Sequence, residues 1–471
     1  MSVINTNIPS IQAVHRLTAN QGDLRTRLER LSTGLRINRG RDDPAGLIAS
    51  ETLRNEIRGI SQSISNSQRA INVIATAEGA LNEISALLLD VRGLVNHAAN
   101  EGAISDEEIR ADQLQIDSII EAIDRIANTT QFGGEKLING NYQYNVSGLA
   151  ASSITAMTVF GARVPEGGHQ DVTVQVTQSA ETAQLQFAAG SAGLSANVTI
   201  EVKGNQGMEV ISLTSGTAAS GIVAAINNVQ ATTGVSAIAS GTDVIINSQN
   251  YGSDAFVSVK PVYGDFIVST GSEAMDYGVD AGVIINGQAA SVDGLEAALR
   301  ANGLDLKLML TPDRGTTLGT TSFAITGGGA TFQIAPEVNP NGQVSIGIPN
   351  VGSSNLGNAD IGYLYTIKDG GPNSISGGNS MSAERILMES INQVAVLRGR
   401  LGGLQANQIE TNINSQRVAL ENVTAAESAI RDADIAVEVA ALTRSQILVQ
   451  STTSILGIAN QMPMNALALL G

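Results

Sequence analysis

The sequence predicts a mixed fold: a discontinuous all-α coiled coil or helical bundle formed by the two ends of the chain, with a β-rich region inserted between them. Three observations predict it. Aliphatic residues recur at seven-residue spacing through both ends, the mark of helices that bury one seam against partners. Between about 142 and 379 the charges thin out and two-residue alternation takes over. Neither helical end has a core of its own, so pairing the two into one bundle buries both stripes.

Composition narrows the function. The 471 residues are 42% hydrophobic, so the chain is not disordered by composition, yet there is no Trp and only seven Phe and seven Tyr. Small aliphatics suit long helices and thin β-layers. A net charge of −17 excludes the basic surface that nucleic acid requires. No cysteine is present, which removes disulfides, thiolate metal sites and a Cys nucleophile. Asn5, Asn7 and Pro9 interrupt any secretory-type apolar core at the start. After Arg444 no charge remains, but Gln446, Gln450, Thr452, Thr453, Asn460, Gln461 and Pro463 argue against a membrane-spanning tail.

Taken in order, Ile4, Ile8, Ile11, Val14 and Leu17 recur at three or four residues, and Leu24, Leu28, Leu31 and Leu35 resume the pattern. This predicts an amphipathic helix broken near Gly34. Asp43-Pro44 reads as an N-cap with proline in the first turn. A helix to about Asn100 follows on Leu53, Ile57, Ile60, Ile64, Ile71 and Ile74, then Leu81, Ile84, Leu88, Val91 and Val95; the two halves predict a register change around Glu78 to Leu81. Ser105 and Glu108 form a capping box for the next helix, and Asn139-Gly140 suggests a hairpin turn.

The inserted region alternates at Val172–Val176, Val198–Val202, Leu304–Leu308 and Val344–Ile348. Asn286-Gly287 and Asn341-Gly342 are hairpin signals, and one short helix is expected at Ala219–Val229. Gly370–Ser380 reads as the return linker. Helix resumes near Ser382, is interrupted at Asp432-Ala433-Asp434, and ends in a tail whose seam is Ile435, Leu442, Val449 and Leu456.

No catalytic pattern is present. His15, His97 and His169 are scattered, the Asp42-Asp43 and Asp432/Asp434 pairs sit at helix breaks where carboxylates cap amides, and Gly327–Gly329 lacks the lysine and helix of a phosphate loop. The chain is expected to be neither an enzyme nor a cofactor carrier.

The residues just described resemble bacterial flagellin. Leu31-Ser32-Thr33-Gly34-Leu35-Arg36-Ile37-Asn38, continuing through Asp42–Leu47, is similar to that family's N-terminal signature, as is Thr130–Leu137. Ser445–Leu448, Ala459-Asn460-Gln461 and the closing Asn465–Leu470 resemble its C-terminus, so the likeness covers about 1–145 and 380–471. It implies an inner helical layer from 1–42 and 435–471, an outer helical bundle with a β-hairpin from 43–145 and 380–434, and a variable, surface-exposed insert of two small domains at 146–379.

It further implies a structural subunit that is secreted through the flagellar export apparatus with its export chaperone. The subunit polymerises under cap and junction proteins into an open helical homopolymer outside the cell, the flagellar filament. Leu467 and Leu470 of the closing motif join Ile4–Leu31 and the tail seam as the expected polymerisation interface. In flagellins recognised by a Toll-like innate receptor the contact strip reads Gln-Arg-Val-Arg-Glu-Leu-Ala-Val-Gln. Here Val91, Arg92 and Leu94 match it, and Gly93 stands in place of the glutamate. The other readings of the same pattern are a hook–filament junction protein and a filament subunit whose insert is an adhesin.

Overall fold

The computed structural model describes residues 6–468, apart from 101, 166, 189–192, 267, 269–274 and 302. The helices are α1 (Ile8–Thr33), α2 (Pro44–Ala98), α3 (Asp106–Thr129), α4 (Ala219–Asn228), α5 (Gln230–Thr233), α6 (Pro312–Gly315), α7 (Ser380–Leu404), α8 (Thr411–Arg431) and α9 (Ile435–Ala468). The chain divides into two compact units: one holds the chain up to Arg69, Gln333–Gly342 and everything from Asn407, the other Ala70–Phe332 and Gln343–Ala406.

Local chemistry sets the helix boundaries. The Asn7 side chain accepts from Ser10 N at 3.1 Å, with Pro9 in the first turn, and Gly34 ends α1 at φ 72°. Asp43 Oδ1 accepts from Gly46 N at 2.9 Å to start α2, while Asp42 caps the preceding turn by accepting from Arg39 N at 2.9 Å. Ser105 and Glu108 make the reciprocal box expected for α3. Asp434 Oδ1 accepts from Ala436 N and Val437 N at the head of α9. Asp42, Asp43 and Asp434 are thus occupied by backbone amides, whereas the Asp432 carboxylate accepts from Ser428 Oγ at 2.5 Å instead of capping an amide.

In the first unit the end of α1 is pinned to the α8–α9 corner: Arg36 N donates to Arg431 O at 2.7 Å and Ala433 N to Gly34 O at 2.9 Å. Arg431 reaches Glu51 of α2 at 3.0 Å. The short segment Gln333–Gly342 joins the same unit, since Ser63 Oγ of α2 and Gln416 Nε2 of α8 both donate to Ile334 O.

From Ile60 onward the buried positions of α2 run 60, 63, 67, 70, 74, 77, 81, 84, 88, 91, 95, 98, an unbroken three-four alternation. The predicted register change at Glu78–Leu81 does not occur. Its source is physical: Ser63, Ser67, Ala70 and Ala77 occupy the seam, and the larger Ile57, Ile64 and Ile71 beside it, only partly buried, drew the sequence pattern one position sideways. A real slip occurs elsewhere. Leu401 and Ile409 are both buried but eight residues apart, and Gln405–Glu410 form a π-helical turn that absorbs the extra residue.

In the second unit, Ile116, Ile120, Ile123 and Ala127 of α3 and Ala383, Leu387, Ser390, Val394, Leu397 and Leu401 of α7 supply matching buried stripes. His97 Nδ1 lies 2.6 Å from Asp112 Oδ2 of α3, a hydrogen bond that raises the imidazole above its ordinary value. Gly370–Ser380 is not a loose linker: Gln113 Oε1 of α3 accepts from Ile375 N at 3.0 Å, and Gln113 Nε2 donates to Ile367 O at 2.9 Å.

The hairpin in this region is not at Asn139-Gly140. Gln131–Phe132 pairs with Glu135–Lys136 across Gly133 (φ 62°) and Gly134 (φ 94°), whose positive φ values the tight turn requires. Asn341-Gly342 lies in a short 3-10 turn, Pro340–Gly342, instead of a two-residue hairpin. At Asn286-Gly287 the expected turn is present: both residues have positive φ, and Ile285 pairs with Gln288.

The inserted β region is nested. A base module packs a five-stranded sheet (Gln288–Ala289, Gly282–Ile285, Gln170–Gln178, Gly319–Gly328, Tyr144–Ser147) on a four-stranded one (Ser291–Asp293, Glu296–Ala301, Leu304–Leu310, Ile154–Ala162) over a Val- and Leu-rich core. Residues 181–279 leave this base as a second module, with a three-stranded sheet, a four-stranded sheet and α4 around their own core. Its entry and exit are clasped by Glu181 N to Val279 O and Val279 N to Glu181 O, both 2.9 Å. Arg400 of α7 ties down the base: its guanidinium lies 3.7 Å over the Phe160 ring, and Nη1 meets Asp305 at 2.6 Å.

Candidate assembly interface

The two ends of the chain meet as an antiparallel helix pair. Asn7 Nδ2 donates to Ala459 O at 2.7 Å, Ser10 Oγ to Asn460 Oδ1 at 2.7 Å, Asn20 Nδ2 to Thr452 Oγ1 at 3.5 Å, and Arg27 reaches Glu438 at 3.0 Å. The covered positions alternate by three and four on both helices: Ser10, Ala13, Leu17, Asn20, Leu24, Arg27 and Leu31 on α1, against Glu438, Leu442, Ser445, Val449, Thr452, Leu456 and Ala459 on α9. Every second α9 position is thus small or polar. Such a seam brings two backbones close and buries less apolar surface than an all-leucine one.

One ionic cluster closes the pair at the α1 C-terminal end. Glu438 is 5% exposed and accepts from Arg27 Nη1 at 3.0 Å and Arg30 Nη1 at 3.1 Å. Burial by itself would raise the Glu438 carboxyl, but the hydrogen bonds and positive charge of the two arginines outweigh it and hold it below its ordinary value of 4.5.

The large apolar residues fall mostly outside this seam. Leu17, Leu24, Leu31, Leu442, Val449 and Leu456 of the predicted set face the partner helix and are half-buried. Ile8, Ile11, Val14, Leu28 and Ile435 point away and are exposed, Ile8 at 52%. Ile4 and Leu470 lie outside the described residues, as does the side chain of Leu467 within α9. The sequence pattern did not single out Ile447, Leu448, Ile455, Ile458 and Met462, all exposed on α9. Their signal was the charge-free composition after Arg444, which leaves exposed aliphatics interleaved only with uncharged polar residues, a face that tolerates burial against a partner.

In the strip at the end of α2 the Val91 side chain is completely buried in the helical core. Arg92 Nε donates to Glu384 of α7 at 2.8 Å, and Leu94 is half-buried, so only these two remain accessible to a receptor. Gly93 is exposed in mid-helix, and an added Cβ would meet nothing within 4 Å. Gly93→Ala is therefore expected to stabilise the chain by about 1 kcal/mol, read as a higher midpoint in urea unfolding; a lower midpoint would contradict the open surroundings.

No group of three or more metal-ligating side chains gathers among the described residues, and no helix there is long and apolar enough to cross a membrane. The family model described as the bacterial flagellin N-terminal helical region matches residues 4–143, and that of the C-terminal helical region matches 385–470, the same two ends that pair here. The chain belongs to the bacterial flagellin family.

Flagellin of Bacillus subtilis (strain 168) is 28% identical over 469 residues, covering 99% of both chains. Flagellin B of Vibrio cholerae is 29% identical over 468 residues with the same coverage. The flagellins are a structural protein family, and the α1–α9 pair lies within the two regions by which the family is recognised.

Proposed function

We propose that this flagellar filament subunit polymerises through the outward apolar stripes of its α1–α9 pair. The observation that carries the proposal is the exposure of Ile8, Ile11, Val14, Leu28, Ile447, Leu448, Ile455 and Ile458 on two helices already joined along a different seam. Burying one such side chain is worth about 1.5–3 kcal/mol, so leaving eight in water is costly for an isolated chain. Copies of the same pair supply the cover, each subunit's stripe meeting a different face of the next, as an open helical polymer requires. The inner helical layer is then 1–42 with 435–471, around it the bundle of 43–145 with 380–434, and 146–379 faces solvent.

We infer that the chain leaves the cell through the flagellar export apparatus and is placed under the filament cap. Its role is structural and non-enzymatic. Purified protein added to short flagellar filament fragments tests the reading: elongation of the fragments in electron micrographs is the expected result. Protein that caps or ignores the fragments without extending them would overturn it.

A further inference from the structure

We propose that the outer face of the four-stranded sheet in the 181–279 module is a second self-contact, which docks on the acidic surface of the same module in a neighbouring copy of this chain. The inference rests on the filament reading and concerns a different surface. The sheet consists of Met275–Tyr277, Phe256–Tyr263, Val198–Gly204 and Gly207–Leu213. Its inner residues, among them Val202, Val257 and Val259, are buried in the module core. Its outer residues are unusually apolar: Met208, Val210, Tyr263 and Tyr277 are each more than half exposed.

The backbone aims one of these side chains deliberately. Lys260 pairs with Glu201 and Pro261 with Ile200, but Tyr263 pairs with Thr199, so a bulge inserts one extra residue. Without it Tyr263 would point to the core side, like Val257 and Val259; with it, Tyr263 joins Lys260 and Glu201 on the outer face, 69% exposed.

Charge selects the occupant. Lys203 and Lys260 are the only Lys or Arg from 164 to 299, and both stand on this face, on adjacent strands. Lys203 lies 5.9 Å from the Phe256 ring, and among the described residues neither lysine forms an ion pair. The rest of the module exposes acids alone, including Glu209, Asp254 and Asp265. Glu201 sits between the two lysines and weakens the field that a polyanion would need, whereas apolar and aromatic side chains interleaved with mixed charge suit a protein partner. A chain of net charge −17 supplies that partner from its own copies.

Magnitude says where the contact forms. Four strands about 4.8 Å apart and about 20 Å long present roughly 300 Å². A free-standing complex buries about 800 Å² per partner, so this face holds only where a polymer supplies a high local concentration of copies.

The test mixes ¹⁴N- and ¹⁵N-labelled subunits in seeded filaments and joins amines to carboxylates with a zero-length carbodiimide. Isotopically hybrid links from Lys203 or Lys260 to acids of 181–279 are expected in filaments and not in monomer at equal concentration. Tyr263→Asp, which keeps both lysines, should leave elongation intact and cut the hybrid yield about tenfold, the loss of one interface anchor. Filaments that form with only isotopically pure links, or none, overturn the proposal and leave the filament reading standing. Lysine-dependent pelleting of dextran sulfate with such filaments would name an anionic polymer as occupant instead. Failure to extend seeds at all removes both.

Discussion

A chain carrying Ile455→Asp and Ile458→Asp is expected to fold as the native monomer does and to fail completely to extend filament seeds. Both side chains are exposed, at 53% and 61%, and both lie off the α1 seam, which is made at Thr452, Leu456 and Ala459. In the monomer the substitutions therefore break no contact. In the filament each removes about 1.5–3 kcal/mol of apolar burial and places a carboxylate where the neighbour's stripe should lie, at a cost of several kcal/mol more. Together these raise the concentration needed for elongation by at least a thousandfold, since each 1.4 kcal/mol is about tenfold. Seeded elongation followed by light scattering, with circular dichroism confirming unchanged helix content, reads the outcome. Elongation at the native concentration would show that the stripe faces solvent in the polymer too.

The second large effect belongs to Glu438. Glu438→Gln keeps the shape of the side chain but removes the charge that Arg27 and Arg30 share, leaving two partly buried guanidinium groups facing each other. Loss of one partner from a fully buried pair costs about 3–5 kcal/mol; with Arg27 32% exposed, about 1–3 kcal/mol is expected here. The sign with pH follows from the depressed carboxyl. A group whose folded value lies below its unfolded one contributes fully above the unfolded value, 4.5, and loses that contribution as pH falls through the folded value. Native α9 should thus loosen from α1 in acid below about pH 4.5, read as a lower amide-exchange protection factor over 438–460 at matched pH, while the Gln variant is poorly protected already at neutral pH. Identical acid profiles for the two would disprove the role of the cluster.

How far the sequence revealed this arrangement depends on what fills each seam. Where leucine and isoleucine line the contact, as at Leu81, Ile84 and Leu88, spacing alone locates the core. Where serine and alanine line it, as at Ser63, Ser67 and Ala70, spacing points to the bulkier neighbours instead. The same contrast holds on α1: Ile8, Ile11 and Val14, the large residues that spacing picks out, are exposed, whereas Ser10 and Ala13 make the intrachain contact. Small residues pack backbones closely and leave no hydropathy signal. The hairpin was misplaced for a related reason, since Asn139-Gly140 and Gly133-Gly134 both permit positive φ and only the flanking strand pairing decides between them. Capping, by contrast, is local, and Ser105-Glu108, Asp43 and Asp434 were legible directly.

The clasp between Glu181 and Val279 makes the outer module interchangeable. The polypeptide passes through the base at a doorway one hydrogen-bonded residue pair wide, goes out for nearly a hundred residues, and returns to the same doorway. Beside the doorway the module also touches the base, through Tyr251, which packs on the base core, and Ser253, whose N donates to Asp280 at 2.9 Å. For the rest of its length the base sees the closure of a loop, whose entropic cost grows by about 0.6 kcal/mol for each doubling of length. Lengthening or shortening the module while keeping Tyr251 and Ser253 in place would burden the base by less than one lost methyl contact per doubling. The base can thus be held to one geometry while the module beyond the doorway drifts in sequence and length.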